Sequence, residues 1–254
     1  KSSQYLKSKV GRSPPFHFST GNSCSQPSSR AAPASMLRSC RLPASRLLLL
    51  SLNGFRPAHA MASSPGFRVT TTTDGTEACT KLESAIREAL PSGEIIRENV
   101  RSFYWWDDDV QNEEEIRLTF DTTTSDFSHV VNVLADAHTY DVPMIVGEAL
   151  DENLTNDAAV HVKGTIVAGA QAASLASSLA KSRLVACAQI NEQDGTLQLK
   201  TTRAAMARIG ERVEGEAVAA GVAIPSIMWR PIVGNGPYLA WVTEETNNEL
   251  WCEA

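Results

Sequence analysis

The sequence predicts an α+β fold in which a strand–helix–strand–strand–helix–strand unit occurs twice in tandem. Three observations predict it. Residues 114–123 alternate cleanly, with Ile116, Leu118 and Phe120 on one side and Arg117, Thr119 and Asp121 on the other, the period of a strand. Ala78, Leu82, Ala85, Ile86 and Ala89 recur at helical spacing, as do Phe127, Val130, Val131, Leu134 and Ala137. After a polar, acidic break at 151–157 the pattern restarts: Thr201-Thr202 answers Thr122-Thr123, and Leu175 answers Leu82.

The elements of the first unit follow in order. Phe67 to Thr72 is β-branched and reads as a strand. Asp74-Gly75-Thr76-Glu77 has the spacing of a capping box, an acceptor followed three residues later by Glu, and opens the first helix. Pro91-Ser92-Gly93 ends it. Arg101-Ser102-Phe103-Tyr104-Trp105-Trp106 is an aromatic strand. The following Asp107-Asp108-Asp109 is too polar to bury, which makes it the tip of a long hairpin returning through 114–123. The second helix covers 127–137. Pro143 excludes helix at Val142 and starts the last strand, Met144-Ile145-Val146.

In the second unit, Val160 to Val167 reads as a strand, Ala170 to Leu184 as a helix, and Leu184 to Ile190 as a buried strand. Asn191-Glu192-Gln193-Asp194-Gly195 stands where the first unit has its long hairpin. Thr196 to Thr202 alternates as a strand, and Met206, Ile209 and Val213 mark a helix that Gly221 ends. Pro225 to Trp229 is the last strand, followed by a turn at Gly234-Asn235-Gly236-Pro237 and a short apolar element, Tyr238 to Val242. The chain therefore divides into a leader at 1–65, a domain at 66–150, a linker at 151–158, a domain with a shortened hairpin at 159–246, and a tail at 247–254.

Charge separates the leader from the body. Residues 1–73 hold ten Lys or Arg and no Asp or Glu, whereas the remainder holds thirteen Lys or Arg and all 29 acids. A basic, Ser- and Pro-rich, acid-free leader is the composition of a targeting segment for a plastid or mitochondrion. Disordered or upstream-translated sequence is the bland alternative. Met36, the run Leu47 to Leu50 and Ala58-His59-Ala60 also fit a secretory signal, and Met61 fits the start of a cytoplasmic form. No apolar run is long enough to cross a bilayer. The acidic body argues against nucleic acid or an anionic membrane as partner. Of five cysteines, Cys24 and Cys40 lie in the leader and Cys79, Cys187 and Cys252 in the body, without CxxC spacing, so neither a disulfide framework nor a zinc site is expected.

Both halves resemble the CutA family, proteins linked to divalent-cation tolerance. The first does so through Val100-Arg101-Ser102-Phe103-Tyr104-Trp105, Glu114-Glu115-Ile116 with Thr122-Thr123, and His138-Thr139-Tyr140-Asp141-Val142-Pro143. The second does so through Arg183 to Ile190, Leu199-Lys200-Thr201-Thr202, Pro225-Ser226-Ile227 and Gly234 to Trp241. The resemblance implies two divergent tandem copies of a ferredoxin-like (βαββαβ) domain with antiparallel sheets. It also implies self-association as a homotrimer through sheets and hairpins. With two copies per chain, three chains stack two trimeric layers or the halves pair within one chain.

The resemblance further implies copper, or another divalent cation, as ligand. His138 matches the family's His-Pro-Tyr position, with Thr139 in place of Pro, and imidazole suits copper and zinc. The competing reading is a helix-end cap favoured by the dipole. Cys187 matches the family's Ala-Ala-Cys position; it is a soft-metal ligand or an inert buried thiol among Val185, Ala186 and Ile190. Met144 is a strand core residue or a Cu(I) ligand. Tyr104, Trp105 and Trp106 suit a subunit interface, and Asp107 to Asp109 a solvated tip. Lys200 and Arg203 read as exposed strand-end charges that meet solvent, or a phosphate or carboxylate. No nucleophile with a base and no Gly-rich phosphate loop occurs, so the expectation is a non-enzymatic protein of divalent-metal response. The alternative is a regulatory module of the PII type that binds a nucleotide or small ligand in clefts between subunits.

Overall fold

The computed structural model describes residues 66–151 and 159–246. The readings placed on the leader, on 152–158 and on the tail lie outside the described residues.

The first half runs β1 (Gly66–Thr73), α1 (Thr76–Ala89), β2 (Ile95–Trp106), β3 (Asp109–Thr123), α2 (Phe127–Ala137) and β4 (Ile145–Ala149). Asp107 and Asp108 both take positive φ, 52° and 61°, and close the β2–β3 hairpin with Trp106 opposite Asp109. That is the two-residue turn whose twist matches the strands, and Asp tolerates it. The capping box does not form. Gly75, with φ 71°, is the N-cap of α1, so the cap position itself carries no side-chain acceptor. The helix begins one residue later than the box requires, so the cap position falls on a residue with no side chain.

The second half runs β5 (His161–Val167), α3 (Ala172–Lys181), β6 (Cys187–Asn191), β7 (Thr196–Thr202), α4 (Met206–Ala220), β8 (Ile227–Pro231), β9 (Val233–Gly234) and α5 (Gly236–Thr246). The short apolar element expected after the last turn is this helix, with Pro237 in its first turn, where a missing N–H costs nothing.

All nine strands form one antiparallel sheet in the order β8-β5-β7-β6-β2-β3-β1-β4-β9. The first half contributes β4-β1-β3-β2, and the second contributes β8-β5-β7-β6. They join edge to edge where β2 pairs with β6, Val100 opposite Asn191 and Tyr104 opposite Cys187. The halves thus lie side by side in one sheet.

The sheet also closes on itself. β8 pairs with β5 at one end and β9 with β4 at the other. Only Ile232 separates β8 from β9, and its N–H bonds the His161 carbonyl at 3.1 Å. Lys163 of β5 donates to Glu148 of β4 across the closure. The result is a barrel of eight strands, the ninth being the continuation of the eighth. A barrel of this strand number has an interior about wide enough for side chains.

The strand alternation read from the sequence sorts residues between the two faces. Val69, Leu118, Phe120 and Ile145 face outward into a core with Leu82 and Ile86 of α1 and Val130 and Leu134 of α2. Ala188, Ile190, Leu197 and Leu199 do the same with Leu175 and Leu179 of α3 and Ile209 and Val213 of α4. A third core forms where α5 covers one mouth of the barrel, with Tyr238 and Val242 on Met144, Val146, Ala186 and Ile232. The alternate residues point inward. Lys200 is among them and is fully buried, so it is not the exposed strand-end charge expected from the sequence. It sits two residues inside the end of β7, opposite Cys187 and Lys163. Arg203, just past the strand end, is exposed and donates to the Ala159 carbonyl at 3.0 Å.

Candidate functional site

Beneath α5 the barrel interior holds a cavity of about 30 Å³, room for one or two waters or a single ion. Thr72, Ser102, Glu115, Tyr140 and Met144 line it from the first half, and Cys187, Gln189, Tyr238 and Trp241 from the second. The strands place these groups by parity: β2 presents Ser102 and Tyr104, β3 presents Glu115, and β6 presents Cys187 and Gln189.

Hydrogen bonds run through the wall as one chain across both halves. Lys200 Nζ donates to Gln189 Oε1. Gln189 Nε2 donates to Ser102 Oγ at 3.3 Å, and Ser102 Oγ donates to Glu115 Oε2 at 2.5 Å. Tyr140 Oη donates to Glu115 Oε1 at 3.0 Å. Both ionisable ends of this relay are pushed towards neutrality. Burial drives the Lys200 ammonium down to about 7. Removal from water raises the Glu115 carboxyl, against the opposing bonds from Ser102, Tyr140 and Thr72. Two buried donors, Tyr238 Oη and Trp241 Nε1, have no hydrogen-bond partner.

The two metal candidates from the sequence part company. Cys187 faces the cavity, is buried, and has its thiol pushed up to about 12 by burial. His138 follows the end of α2 in extended conformation and is not part of the lining. Its Nδ1 accepts the Tyr140 N–H at 3.0 Å, which leaves the proton on Nε2, and this donates to the Thr72 carbonyl at 2.9 Å. Burial lowers its pKa and favours this neutral form. Both nitrogens are committed, and the ring, 4.7 Å from that of Tyr140, holds Tyr140 against Glu115. Met144 joins Cys187 and Glu115 in the lining, so one thioether, one thiol and one carboxylate converge. Among the described residues no three His, Cys, Asp or Glu side chains gather as a metal cage. Cys79 is fully buried in the α1 core, as its packing role requires.

The opposite mouth of the barrel is an open polar groove of about 260 Å³. There Arg117, only 3% exposed, donates from Nε and Nη2 to Glu98 Oε2, and Asn191 donates to Glu98 Oε1 at 2.7 Å. Sequence reasoning missed Glu115, Ser102, Gln189 and Tyr140 as site residues, and it placed Lys200 at an exposed strand end. Their face gave little signal: alongside Thr70, Thr72, Ser102, Gln189 and Thr202 the inward positions include Glu98, Glu115, Arg117, Glu148, Lys163 and Lys200, which read from the sequence as an ordinary solvated sheet face. Trp105 and Trp106 are half-buried near the join between halves, with the Arg183 guanidinium 5.9 Å from the Trp105 ring.

Among the described residues no helix is long and apolar enough to cross a membrane. A search of curated proteins finds no match. Solved structures do match. CutA1 from Oryza sativa is 26% identical over 35% of this chain and 82% of its own, with a TM-score of 0.32. The divalent ion tolerance protein CutA1 from Ehrlichia chaffeensis is 26% identical over 38% of this chain and 89% of its own, with a TM-score of 0.31. The divalent cation tolerance protein from Thermus thermophilus is 26% identical over 36% and 87%, with a TM-score of 0.30. Residues 67–156 match the family model of the CutA1 divalent ion tolerance protein.

Proposed function

We propose that the chain is a tandem of two divergent CutA1-type modules that acts, without catalysis, in the response to divalent metal ions, with copper as its ligand. The family match of residues 67–156 carries the reading. Its extension to the second half is supported by the strand order, β4-β1-β3-β2 being repeated as β8-β5-β7-β6. The metal part rests on Cys187, Met144 and Glu115 lining one small cavity, since thiolate and thioether are the donors that suit copper. His138 supports the site through Tyr140 and does not ligate. The nucleotide-binding alternative is not favoured for this chamber, which is about a tenth of the smallest usual ligand pocket.

Calorimetric titration of copper into the purified protein tests the metal part. Saturable binding is expected for the wild type and His138→Ala, and its loss for Cys187→Ser. A wild type that takes up no copper removes copper from the reading, and retention by Cys187→Ser moves the site elsewhere.

A further inference from the structure

The two halves meet along an interface of the kind that joins subunits, and we propose that the second half is a built-in partner: one chain closes the barrel alone and is a monomer with one shared chamber. Sheet edges carry the first argument. A sheet recruits another chain through unpaired backbone at its edge strands. Here the long edge of the first half, β2, is paired with β6 from Val100 to Tyr104. The other edge, β4, is paired with β9. The two edges of the second half, β6 and β8, are used within the same closure. Closure of a barrel is the arrangement that removes edges altogether.

The interior carries the second argument. Polar residues facing inward are matched across the halves as well as within them. Glu148 of the first half meets Lys163 of the second, Glu98 meets Asn191, and Ser102 meets Gln189. Ser102 and Gln189 are 1% exposed and Asn191 5%. Such groups are tolerated in an interior only when hydrogen-bonded, so neither half presents a satisfied face without the other. The third argument is α5. It belongs to the second half yet packs on Met144 and Val146 of the first, and it completes the cavity that the first half's Glu115 and Tyr140 line. A partner chain competing for these surfaces must outdo a tether of a few residues, which holds the halves at millimolar effective concentration. Association of three chains through sheets and hairpins is therefore displaced by association within one.

This inference rests on strand pairing and not on the metal reading, and the outcomes separate. A monomer without copper binding removes only the metal; a copper-binding trimer removes only the built-in partner. Native mass spectrometry and light scattering of the full chain over a hundredfold concentration range are expected to give the mass of one chain throughout. A dimer or trimer overturns the proposal. A monomer also arises from two halves that ignore each other, so a second measurement is needed. A protease site placed within 152–158 and cut after folding is expected to leave both pieces in one species under native conditions. Separation of the pieces on dilution to nanomolar concentration overturns the proposal.

Discussion

Lys200 shows how one inward position sets a property of the molecule. A lysine on an exposed strand end keeps its charge at neutral pH, but here desolvation outweighs every nearby acid and the ammonium titrates at about 7 in the fold. The unfolded chain titrates it near the ordinary lysine value. Between those values the unfolded state holds the extra proton, so stability rises as pH is raised from about 7 towards 10 and is lost again as pH returns to 7. The slope approaches about 1.4 kcal/mol per pH unit for one proton. Glu115 works the other way: its carboxyl is raised, so its contribution is greatest at low pH and falls as pH rises above the ordinary glutamate value. Thermal melts from pH 7 to 8, below the range in which the raised Cys187 thiol begins to lower stability, are expected to show a rising Tm for the wild type and a nearly flat one for Lys200→Met. A rise of equal size in the variant would assign the effect to another group. The sequence showed Lys200 between Leu199 and Thr201 at a strand position, and only the covering of that face by α5 and the closure made it a buried charge.

At the scale of elements, closure depends on the short β9. Gly234 brings its backbone so close to β4 that a Cβ would lie 2.1 Å from the Ile145 carbonyl oxygen. Gly234→Ala is expected to destabilise by about 2 kcal/mol, since the obstacle is backbone and does not move aside. Gly210, inside α4 with open space around it, is the control: Gly210→Ala is expected to stabilise by about 0.5–1 kcal/mol. Urea melts of the two variants check both signs. Elements of this kind divide what the sequence reveals. The β2–β3 hairpin was legible because Asp107 and Asp108 interrupt an alternating run and no other element competes for that stretch. The helices were legible from one apolar stripe each. The capping box was misread because Asp74 and Glu77 satisfy the spacing while the helix starts past Gly75. The α5 helix was read as a turn and a short apolar piece because Gly234 to Pro237 carry the residues of a turn and its buried side faces another half of the chain. Of the candidate site, Cys187 was visible as a residue type, whereas Glu115 and Ser102 were not, because their burial is produced by strands distant in sequence.

For the molecule as a whole, the closed sheet makes the halves one cooperative unit, although each repeats the same strand order. Two domains on a tether unfold separately when few contacts cross between them. Here a backbone ladder and a buried network cross. Glu98 illustrates it: Oε2 holds the Arg117 guanidinium of its own half, while Oε1 takes the Asn191 amide of the other. Arg117 is 4% exposed at its side chain and Glu98 24%. Removing one partner from such a set leaves a desolvated group uncompensated. Asn191→Ala is therefore expected to destabilise by about 1–2 kcal/mol. The distribution of the loss decides the point. Native-state hydrogen exchange is expected to show the slowest amides of β1 and β3, in the half that was not altered, losing as much protection as those of β6 and β7, because all exchange through one global opening. Protection lost in β6 and β7 alone would mean that the halves open as separate units, and that the join between β2 and β6 is a contact between domains and not the middle of a fold.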